Sequence, residues 1–561
     1  MAAYQNYPIK KYNTLRELYR TGAEKYKEAT LFMQKEDGAY KSYSYQQFAK
    51  DVEALGTALL AKGLTDTHIL IVGNNSYEWM LSYMAIACGV GVVVPVDREL
   101  SAERLTTIKD TADATAIIYD DHLEEKISTL GDNVTKIKFS ELASLVRDGI
   151  ERITDGDRSY IDLPLSPVEM RALLFTSGTT GQSKGVMLSH KNLCFNLSQM
   201  CQMINIEQKD VFLSVLPLHH AFECTCGVLC PMSRGATIAF SEGLRRMMKN
   251  MQEVSPTMIN CVPLFMETIY QKLWSNIKKQ GLERRVRASI KITNALYPDR
   301  VRFNAKRKLF ATIHKNFGGK LHTMISCGTA ANPDVLHGLR EFGINAIQSY
   351  GLTECGPLAA INRDTYSSDD SAGMATPDAL LDIYDIHDDG TGEIRYRGDN
   401  IMIGYYKMPE LTAEVLRNGW LYTGDLGYID EKGFLHITGR KKNVIFTAKK
   451  KHIFPEELEL ALSKSPYVRE TVVVGIPNEE KNDYDTVAIV VPDIPYMISV
   501  YGKEYTEEQL DLEIKKAIAE VNATVVAYKR IHSHILRTED FPKNSSGKIR
   551  RDPVIAEYIK P

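Results

Sequence analysis

The sequence lacks long apolar runs, a strong net charge and any cysteine after Cys355. A membrane-spanning helix needs about eighteen consecutive apolar residues, and none of the apolar stretches is that long. The N-terminus lacks the apolar core of a secretory signal. A net charge of −3 gives no electrostatic basis for binding nucleic acid. We therefore expect a cytoplasmic protein without a nucleic-acid partner, with peripheral membrane contact left open.

The cysteines that are present do not form the pattern of a secreted domain. All nine lie between Cys88 and Cys355, which is not a disulfide framework and suits a reducing compartment. Cys224, Cys226 and Cys230 are close together, but CxCxxxC without a partner pair is poor zinc spacing. We expect no zinc site there.

The length and the order of local signals predict an α/β protein with more than one domain. A chain of 561 residues exceeds the size at which a single core stops growing. Helix and strand signals alternate at the start: a helix capped by Ser44 and Gln47 and ended by Gly63, strand 68–73, helix 76–87, strand 92–96, a helix from Ser101 and a strand from Ala114. This alternation favours parallel sheets with helices on both faces.

Residues 172–190 form the most informative stretch. A short apolar run precedes a segment rich in hydroxyl groups and glycine, and a second apolar run follows, so a strand, a loop and another strand are predicted. The candidate phosphate ligands are Thr176, Ser177, Gly178, Thr179, Thr180, Gly181 and Lys184. Glycines let successive backbone N–H groups point into one concavity, and the lysine adds a positive charge. The Walker pattern does not apply, because Gly185 follows the lysine.

TSGTTGQSKGV resembles the phosphate-loop signature of the adenylate-forming superfamily, which includes acyl-CoA synthetases, luciferases and the adenylation domains of peptide synthetases. Further motifs follow in the family's order: SCGTAANP (326–333), QSYGLTECG (348–356), NGWLYTGDLGYID (418–430), ITGRKKNVIF (437–446) and FPKNSSGKIRR (541–551). The resemblance implies that ATP activates a carboxylate to an acyl-adenylate with release of pyrophosphate. The acyl group then passes to a thiol.

The resemblance also assigns roles to individual residues. The adenine and ribose contacts are Gly328, Thr329, Ala330, Tyr350, Asp425 and Arg440, although Cys327, Thr329 and Ala330 depart from the family's Ser-Gly-Gly-Ala-Pro loop. Thr353 is expected at the α-phosphate, and Glu354 as an oxygen ligand of Mg²⁺. Lys548, in a loop with Gly547, is the expected catalytic lysine, and Lys442 stands at the family's hinge.

Two domains are predicted. Residues 1–440 should bind ATP and the acid, and residues 441–561 should form a small mobile α+β domain that carries Lys548. The tail contains strand signals at 471–477 and 485–493 and a helix capped by Thr506 and Gln509.

The substrate is less sharply defined. His220 occupies the family's carboxylate-site position, against the alternative of a packed core histidine, and His219 is read as a bystander. The His-x-Phe-Glu sequence ending at Glu223 resembles the fatty acyl-CoA synthetases, although Glu223 could also pair with an amine. We expect a medium- or long-chain fatty acid with coenzyme A as acceptor. The alternatives are an acyl carrier protein as acceptor, an aromatic or other acid, and, least favoured, a non-catalytic binding protein.

Two basic segments have open interpretations. Residues 283–317 read as a basic amphipathic stretch, by default a solvated face and alternatively a membrane-surface contact. Lys450 stands where the family usually carries a glycine after the hinge, next to Lys449. Those lysines either attract the phosphates of the thiol substrate or form a solvated charged loop.

Overall fold

The computed structural model describes residues 5–177, 183–243, 245–296, 305–447, 451–478, 483–543 and 548–559. The chain divides into two compact units: Met1–Leu381 with Tyr396–Leu421, and Asp382–Arg395 with Tyr422–Pro561. The predicted domain boundary between residues 440 and 441 stays a prediction.

The first unit contains a sheet that carries the hairpin of residues 172–190. In the described part of the chain its strands are, in spatial order, Gly404–Tyr405, Ser183–Ser189, Met170–Ser177, Gly91–Val96, Thr67–Val72, Ala114–Tyr119 and Thr135–Lys138. Thr67–Val72 pairs in parallel with both of its neighbours. The predicted α/β fold class with parallel strands is therefore confirmed.

A second sheet in the same unit carries the motifs at 326–333 and 348–356. Its described strands are, in order, Met374–Ala375, Leu358–Ile361, Asn345–Gly351, Thr323–Ser326, Met258–Cys261, Val211–Ser214, Thr237–Phe240, Thr30–Glu36 and Ala39–Ser44. Neighbours from Asn345–Gly351 to Thr30–Glu36 pair in parallel, and the pairings toward the two edges are antiparallel. Loops at the carboxyl ends of parallel strands meet at one edge, which is where α/β proteins bind ligands.

Helices cover these sheets. In the first unit the described helices include Leu15–Tyr26, Tyr45–Ala61, Tyr77–Ala85, Ala102–Thr111, Glu124–Ser128, Leu142–Thr154, His190–Met203, Cys230–Arg234, Met247–Val254, Pro263–Lys279, Glu283–Leu296, Ala311–Lys315, Pro333–Glu341 and Pro409–Val415. Helix Tyr45–Ala61 starts as predicted, because the Ser44 side chain accepts a hydrogen bond from Gln47 N. The Gln47 side chain donates to Asp51 Oδ1 at 2.6 Å instead of returning to Ser44.

Two π-helical turns differ from the sequence prediction. Helix Tyr77–Ala85 leads into the π-type turn Ile86–Val90, which is kinked by non-helical backbone at Cys88 and Gly89, and Glu223–Leu229 forms a π-helix. Strand Val211–Ser214 is short, and the chain after it leads to the histidine pair and to the π-helix Glu223–Leu229. π-turns are frequent at functional sites.

The second unit has its own core. Val468–Asn478 pairs antiparallel with Asp483–Pro492, which pairs in parallel with Ser533–Leu536. Ile445–Phe446 pairs antiparallel with His452–Ile453. The described helices include Pro455–Leu462, Ile494–Tyr501, Glu507–Thr524 and Arg551–Tyr558. Thr506 and Gln509 form the predicted capping box at the start of Glu507–Thr524.

Further strands run at Leu380–Tyr384, Gly392–Arg397, Leu416–Arg417, Trp420–Ile429 and Leu435–Arg440. Among the described residues, none of the helices combines the length and the apolar character needed to cross a bilayer. The nine cysteines, all of which the structure describes, form no disulfide.

Candidate active site

The two strands predicted on either side of the phosphate-binding segment are present. Met170–Ser177 pairs antiparallel with Ser183–Ser189, and Thr176 lies directly opposite Lys184. Gly178, Thr179, Thr180 and Gly181 lie outside the described residues. The register brings one predicted hydroxyl ligand and the predicted lysine to the same end of the hairpin.

Lys184 lies beside an aromatic ring that the sequence motifs did not single out. Its Nζ is 5.2 Å from the ring centroid of Tyr405. Tyr405 is 5% exposed and pairs with Val186, two residues beyond the lysine on the same strand. A cation over a tyrosine face is attracted by the ring's negative centre, so this contact restricts where the ammonium can lie.

The same tyrosine also contacts the predicted metal ligand. Tyr405 Oη donates a hydrogen bond to Glu354 Oε1 at 2.8 Å. Glu354 lies in one 3₁₀ turn, Thr353–Cys355, and its carbonyl accepts a hydrogen bond from Met402 N at 2.9 Å. The fold thus brings Lys184 and Glu354 to one tyrosine although they are distant in sequence.

The donor set at Glu354 fits magnesium bound through a nucleotide. Mg²⁺ is typically held by one or two carboxylates together with substrate phosphates and water. Among the described residues, no cluster of three or more His, Cys, Asp or Glu could hold a metal. A single half-buried carboxylate beside a predicted phosphate loop suits a metal that arrives with ATP.

Two buried amides hold the loop that carries Thr353 and Glu354. Asn400 Nδ2 donates to Cys355 O at 2.6 Å and to Leu358 O at 2.7 Å. Asn196 Nδ2 donates to Cys355 O at 3.2 Å, and its Oδ1 accepts from Leu358 N at 2.9 Å. Both asparagines are fully buried. Buried amides that are hydrogen-bonded in this way fix a local backbone conformation.

The predicted adenine loop adjoins the strand that carries Tyr350. Gly328 has φ +95°, a backbone conformation that favours glycine, and Thr329 and Ala330 are exposed. Ala331 N donates to Gln348 Oε1 at 2.8 Å, which ties the loop to strand Asn345–Gly351. Tyr350 is 9% exposed on that strand. The adenine contacts themselves stay predictions.

The two histidines after Leu218 lie side by side. The rings of His219 and His220 are 4.2 Å apart, and both residues are half-buried. His219 Nε2 lies 3.8 Å from Asp97 Oδ2, while burial and the neighbouring His220 lower the pKa of His219. The role of His220 as a wall of the carboxylate site stays a prediction.

Glu223 is a buried acid close to the histidines in sequence. It is 1% exposed, and burial raises its pKa to about 8. Its Oε2 is buried without a hydrogen-bond partner among the described residues. Burial thus favours the protonated form of this carboxyl in the protein without substrate.

In the second unit, Asp425 and Arg440 face each other across strands Trp420–Ile429 and Leu435–Arg440. Arg440 Nε lies 2.8 Å from Asp425 Oδ1. Asp425 is 4% exposed. This pair fixes one carboxylate oxygen, which suits a group that receives hydrogen bonds from ribose hydroxyls.

Lys548 lies beside the base of the loop predicted to be catalytic. Lys543 and Ile549 form an isolated antiparallel bridge, and Arg550 N donates to Pro542 O at 2.7 Å. Residues 544–547, including Gly547, lie outside the described residues, and Lys548 itself is half-buried. The bridge brings the two ends of the loop together.

The predicted hinge residue has a partner in the same unit. Lys442 Nζ lies 3.8 Å from Asp552 Oδ1, and burial lowers the pKa of Lys442 despite this acid. Lys449 and Lys450, where a glycine is usual, lie outside the described residues. The hinge role stays a prediction.

Family models match most of the chain. The model of the AMP-binding enzyme family matches residues 19–406, and the model of the AMP-binding enzyme C-terminal domain matches residues 457–548.

Curated relatives match over most of this chain and most of their own length. The chain is 31% identical over 558 residues to long-chain-fatty-acid–CoA ligase 5 of Rattus norvegicus, covering 90% of this chain and 80% of that protein. It is 28% identical over 545 residues to long-chain-fatty-acid–CoA ligase 1 of Homo sapiens, covering 87% and 76%.

Solved structures share the fold. An anthranilate CoA ligase in complex with anthranoyl-AMP superposes with a TM-score of 0.76 at 17% identity, covering 99% of this chain and 98% of that one. A fatty acyl CoA synthetase of Mycobacterium tuberculosis superposes with a TM-score of 0.66 at 21% identity, covering 97% and 98%.

Proposed function

The chain belongs to the AMP-binding enzyme family, and we propose that it is an AMP-forming acid–thiol ligase that activates a medium- or long-chain fatty acid and transfers it to coenzyme A. The first half-reaction joins the acid to AMP and releases pyrophosphate. The second replaces AMP by the thiol of coenzyme A and gives the acyl thioester.

The observation that carries the adenylation step is the convergence of Lys184 and Glu354 on Tyr405. An acid oxygen forms a bond to the α-phosphorus while the bond to pyrophosphate breaks, so negative charge grows on the phosphoryl oxygens. A lysine and a carboxylate placed together suit this charge, because the lysine binds phosphate directly and the carboxylate holds the metal that accompanies it.

Magnesium belongs to the proposal through Glu354. When bound, it would neutralise charge on the phosphate oxygens of ATP. Thr353 would donate its hydroxyl to the α-phosphate, and Thr176, Ser177 and Lys184 would hold the β- and γ-phosphates together with Gly178, Thr179, Thr180 and Gly181.

Other residues would orient the nucleotide. Tyr350 would stack on adenine beside Gly328, Thr329 and Ala330, and Asp425 with Arg440 would bind the ribose. Lys548 would stabilise the α-phosphoryl charge in the first half-reaction. The C-terminal domain, hinged at Lys442, would then move to replace that lysine with a thiol-binding face. The support for these roles is the motif resemblance together with the local geometry within each unit.

Two observations favour a fatty acid. The curated relatives described above are long-chain-fatty-acid–CoA ligases matched along most of their length. In addition, the His-x-Phe-Glu sequence ending at Glu223 resembles that of the fatty acyl-CoA synthetases. His220 would line the site of the acid carboxylate, next to the acyl chain.

An acid panel in ATP–pyrophosphate exchange tests this substrate class. Each methylene that enters an apolar pocket contributes about 0.8 kcal/mol, so kcat/KM should rise about fourfold per methylene until the pocket is full. Acetate should be the poorest saturated acid. A preference for an aromatic acid or an amino acid over every fatty acid would overturn the proposed substrate.

The acceptor has one serious alternative, an acyl carrier protein. The adenylation site would be the same for both acceptors, so only the second half-reaction distinguishes them. Product analysis with free coenzyme A against a carrier protein decides the question. An aromatic acid remains the alternative substrate, and a non-catalytic binding protein is the least favoured alternative because Lys548, Glu354 and Asp425 are all present.

A cytoplasmic location with peripheral membrane contact is also part of the proposal. Helix Glu283–Leu296 exposes arginines in its first half and apolar side chains in its second, with Ile292 56% and Leu296 68% exposed. A helix that combines basic and apolar groups on one surface suits the interface of a bilayer. Co-sedimentation with anionic and neutral vesicles, comparing the wild type with Ile292→Ser, tests the contact.

A further inference from the structure

We propose that Tyr405 is a positioning residue that sets the distance between the phosphate-binding lysine and the metal-binding carboxylate. The inference rests on the proposed adenylation function. It assigns to Tyr405 two separate tasks, one carried by its hydroxyl group and the other by its ring.

The hydroxyl group acts on Glu354. Its hydrogen bond to Oε1 is 2.8 Å long. A hydrogen bond to one carboxylate oxygen limits rotation of the group, so less freedom is lost when the carboxylate binds a metal. Hydrogen-bonding partners of metal ligands commonly change metal affinity by about 10- to 100-fold when they are removed.

The ring acts on Lys184. The ammonium lies 5.2 Å from the ring centroid, within the range of a cation–π contact. This contact holds a long, flexible side chain without occupying its hydrogen-bond donors with an acid. Those donors are therefore available for phosphate oxygens, which a salt bridge at the same place would exclude.

Tyr405 is itself held firmly on the strand that faces the lysine. Its N–H donates to Thr412 Oγ1 at 2.9 Å, and the next residue, Tyr406, donates through its N–H to Gly185 O at 2.8 Å. With 5% exposure, the tyrosine has little room to turn. A buried, anchored ring between two functional groups can transmit a fixed geometry to both.

The decisive variant is Tyr405→Phe, which keeps the ring and removes the hydroxyl group. ATP binding should be measured by isothermal titration calorimetry, with Mg²⁺ and with EDTA. We expect Mg²⁺ to tighten ATP binding to the wild type. In Tyr405→Phe that tightening should fall about tenfold, while the affinity measured in EDTA stays within about twofold.

A matched control and a second variant complete the design. Tyr406→Phe removes the neighbouring hydroxyl group, which donates to Asp113 Oδ2 at 2.7 Å, and should leave both affinities unchanged. Glu354→Gln should abolish the effect of Mg²⁺ on ATP affinity. Adding Tyr405→Phe to Glu354→Gln should cause no further loss of ATP affinity. Tyr405→Leu, which also removes the ring, should weaken binding in EDTA about threefold. If Tyr405→Leu does not fold, Tyr405→Phe alone still decides the proposal.

The inference would be overturned if Mg²⁺ tightened ATP binding to Tyr405→Phe as much as to the wild type. It would also be overturned if Glu354→Gln and Tyr405→Phe together lost more ATP affinity than Glu354→Gln alone. Failure of the proposed function looks different. In that case the wild type itself would bind no ATP and exchange no pyrophosphate with any acid.

Discussion

Asp425 and Arg440 form an ion pair with 2.8 Å between Oδ1 and Nε because they occupy facing positions on adjacent antiparallel strands. The carboxylate side chain is 5% exposed and the arginine side chain 44%. The arginine thus orients a nearly buried acid from the solvent side. The motifs that supplied these residues lie in separate stretches of sequence, and the strand register brings them together.

Asp425→Ala should raise the KM for ATP more than it lowers kcat. The proposed ribose contact exists in both the ground state and the transition state, so its loss weakens binding without slowing the bound complex. Initial rates of pyrophosphate exchange over a range of ATP concentrations give both constants. Arg440→Met should act in the same direction but less strongly, because it leaves the acid in place. A loss of kcat at unchanged ATP affinity would remove Asp425 from the ribose site.

Lys548→Ala should lower adenylate formation by about two to three orders of magnitude, the usual effect of losing one charged contact to a transition state. Thioester formation from presynthesised acyl-adenylate should be much less affected, because the proposed domain movement takes this lysine out of the site before the second half-reaction. Rapid-quench assays of the two half-reactions make the comparison. Arg550→Ala, at an exposed neighbouring position, should leave both rates near the wild type. An equal fall in the rates of both half-reactions in Lys548→Ala would contradict the proposed domain movement, in which a thiol-binding face replaces the lysine.

Glu223→Gln should change how thermal stability depends on pH. The folded pKa of about 8 lies above the ordinary value of 4.5, so between these values the unfolded chain releases a proton that the folded chain keeps. As the pH rises, the free energy of unfolding of the wild type therefore falls by up to about 1.4 kcal/mol per pH unit. It stops falling above about pH 8, where the folded protein also releases this proton. Glutamine is neutral at every pH and removes the effect.

The difference in Tm, variant minus wild type, should consequently grow from pH 5.5 to pH 8. Differential scanning fluorimetry at matched ionic strength measures it. Glu431→Gln, at an exposed position, should give a difference that does not change with pH. The same flat response from Glu223→Gln would mean that Glu223 is ionised in the folded protein.

Local signals predicted much of this fold. Ser44 and Thr506 start helices where the capping patterns place them, because a cap depends on residues only three positions apart. The parallel pairing of Thr67–Val72 follows from alternating strands and helices. The hairpin of residues 170–189 follows from two apolar runs around a glycine-rich turn.

These local signals could not predict contacts between residues that are far apart in sequence. Tyr405 contacts Lys184 and Glu354, which are far from it in sequence, and a tyrosine after glycine carries no local mark of that role. Asn196 and Asn400 read as ordinary polar residues, although both are fully buried against one loop. The π-helix Glu223–Leu229 has no simple sequence period. The burial of Glu223 at its first position was therefore not predicted.

The decisive measurement is the product balance from a long-chain fatty acid, ATP and free coenzyme A, followed by chromatography and mass spectrometry. We predict acyl-CoA, AMP and pyrophosphate in equal amounts, with the acyl-adenylate present only transiently. Accumulation of acyl-adenylate with coenzyme A unconsumed would contradict coenzyme A as the acceptor. Formation of ADP and phosphate in place of AMP and pyrophosphate would contradict adenylation itself.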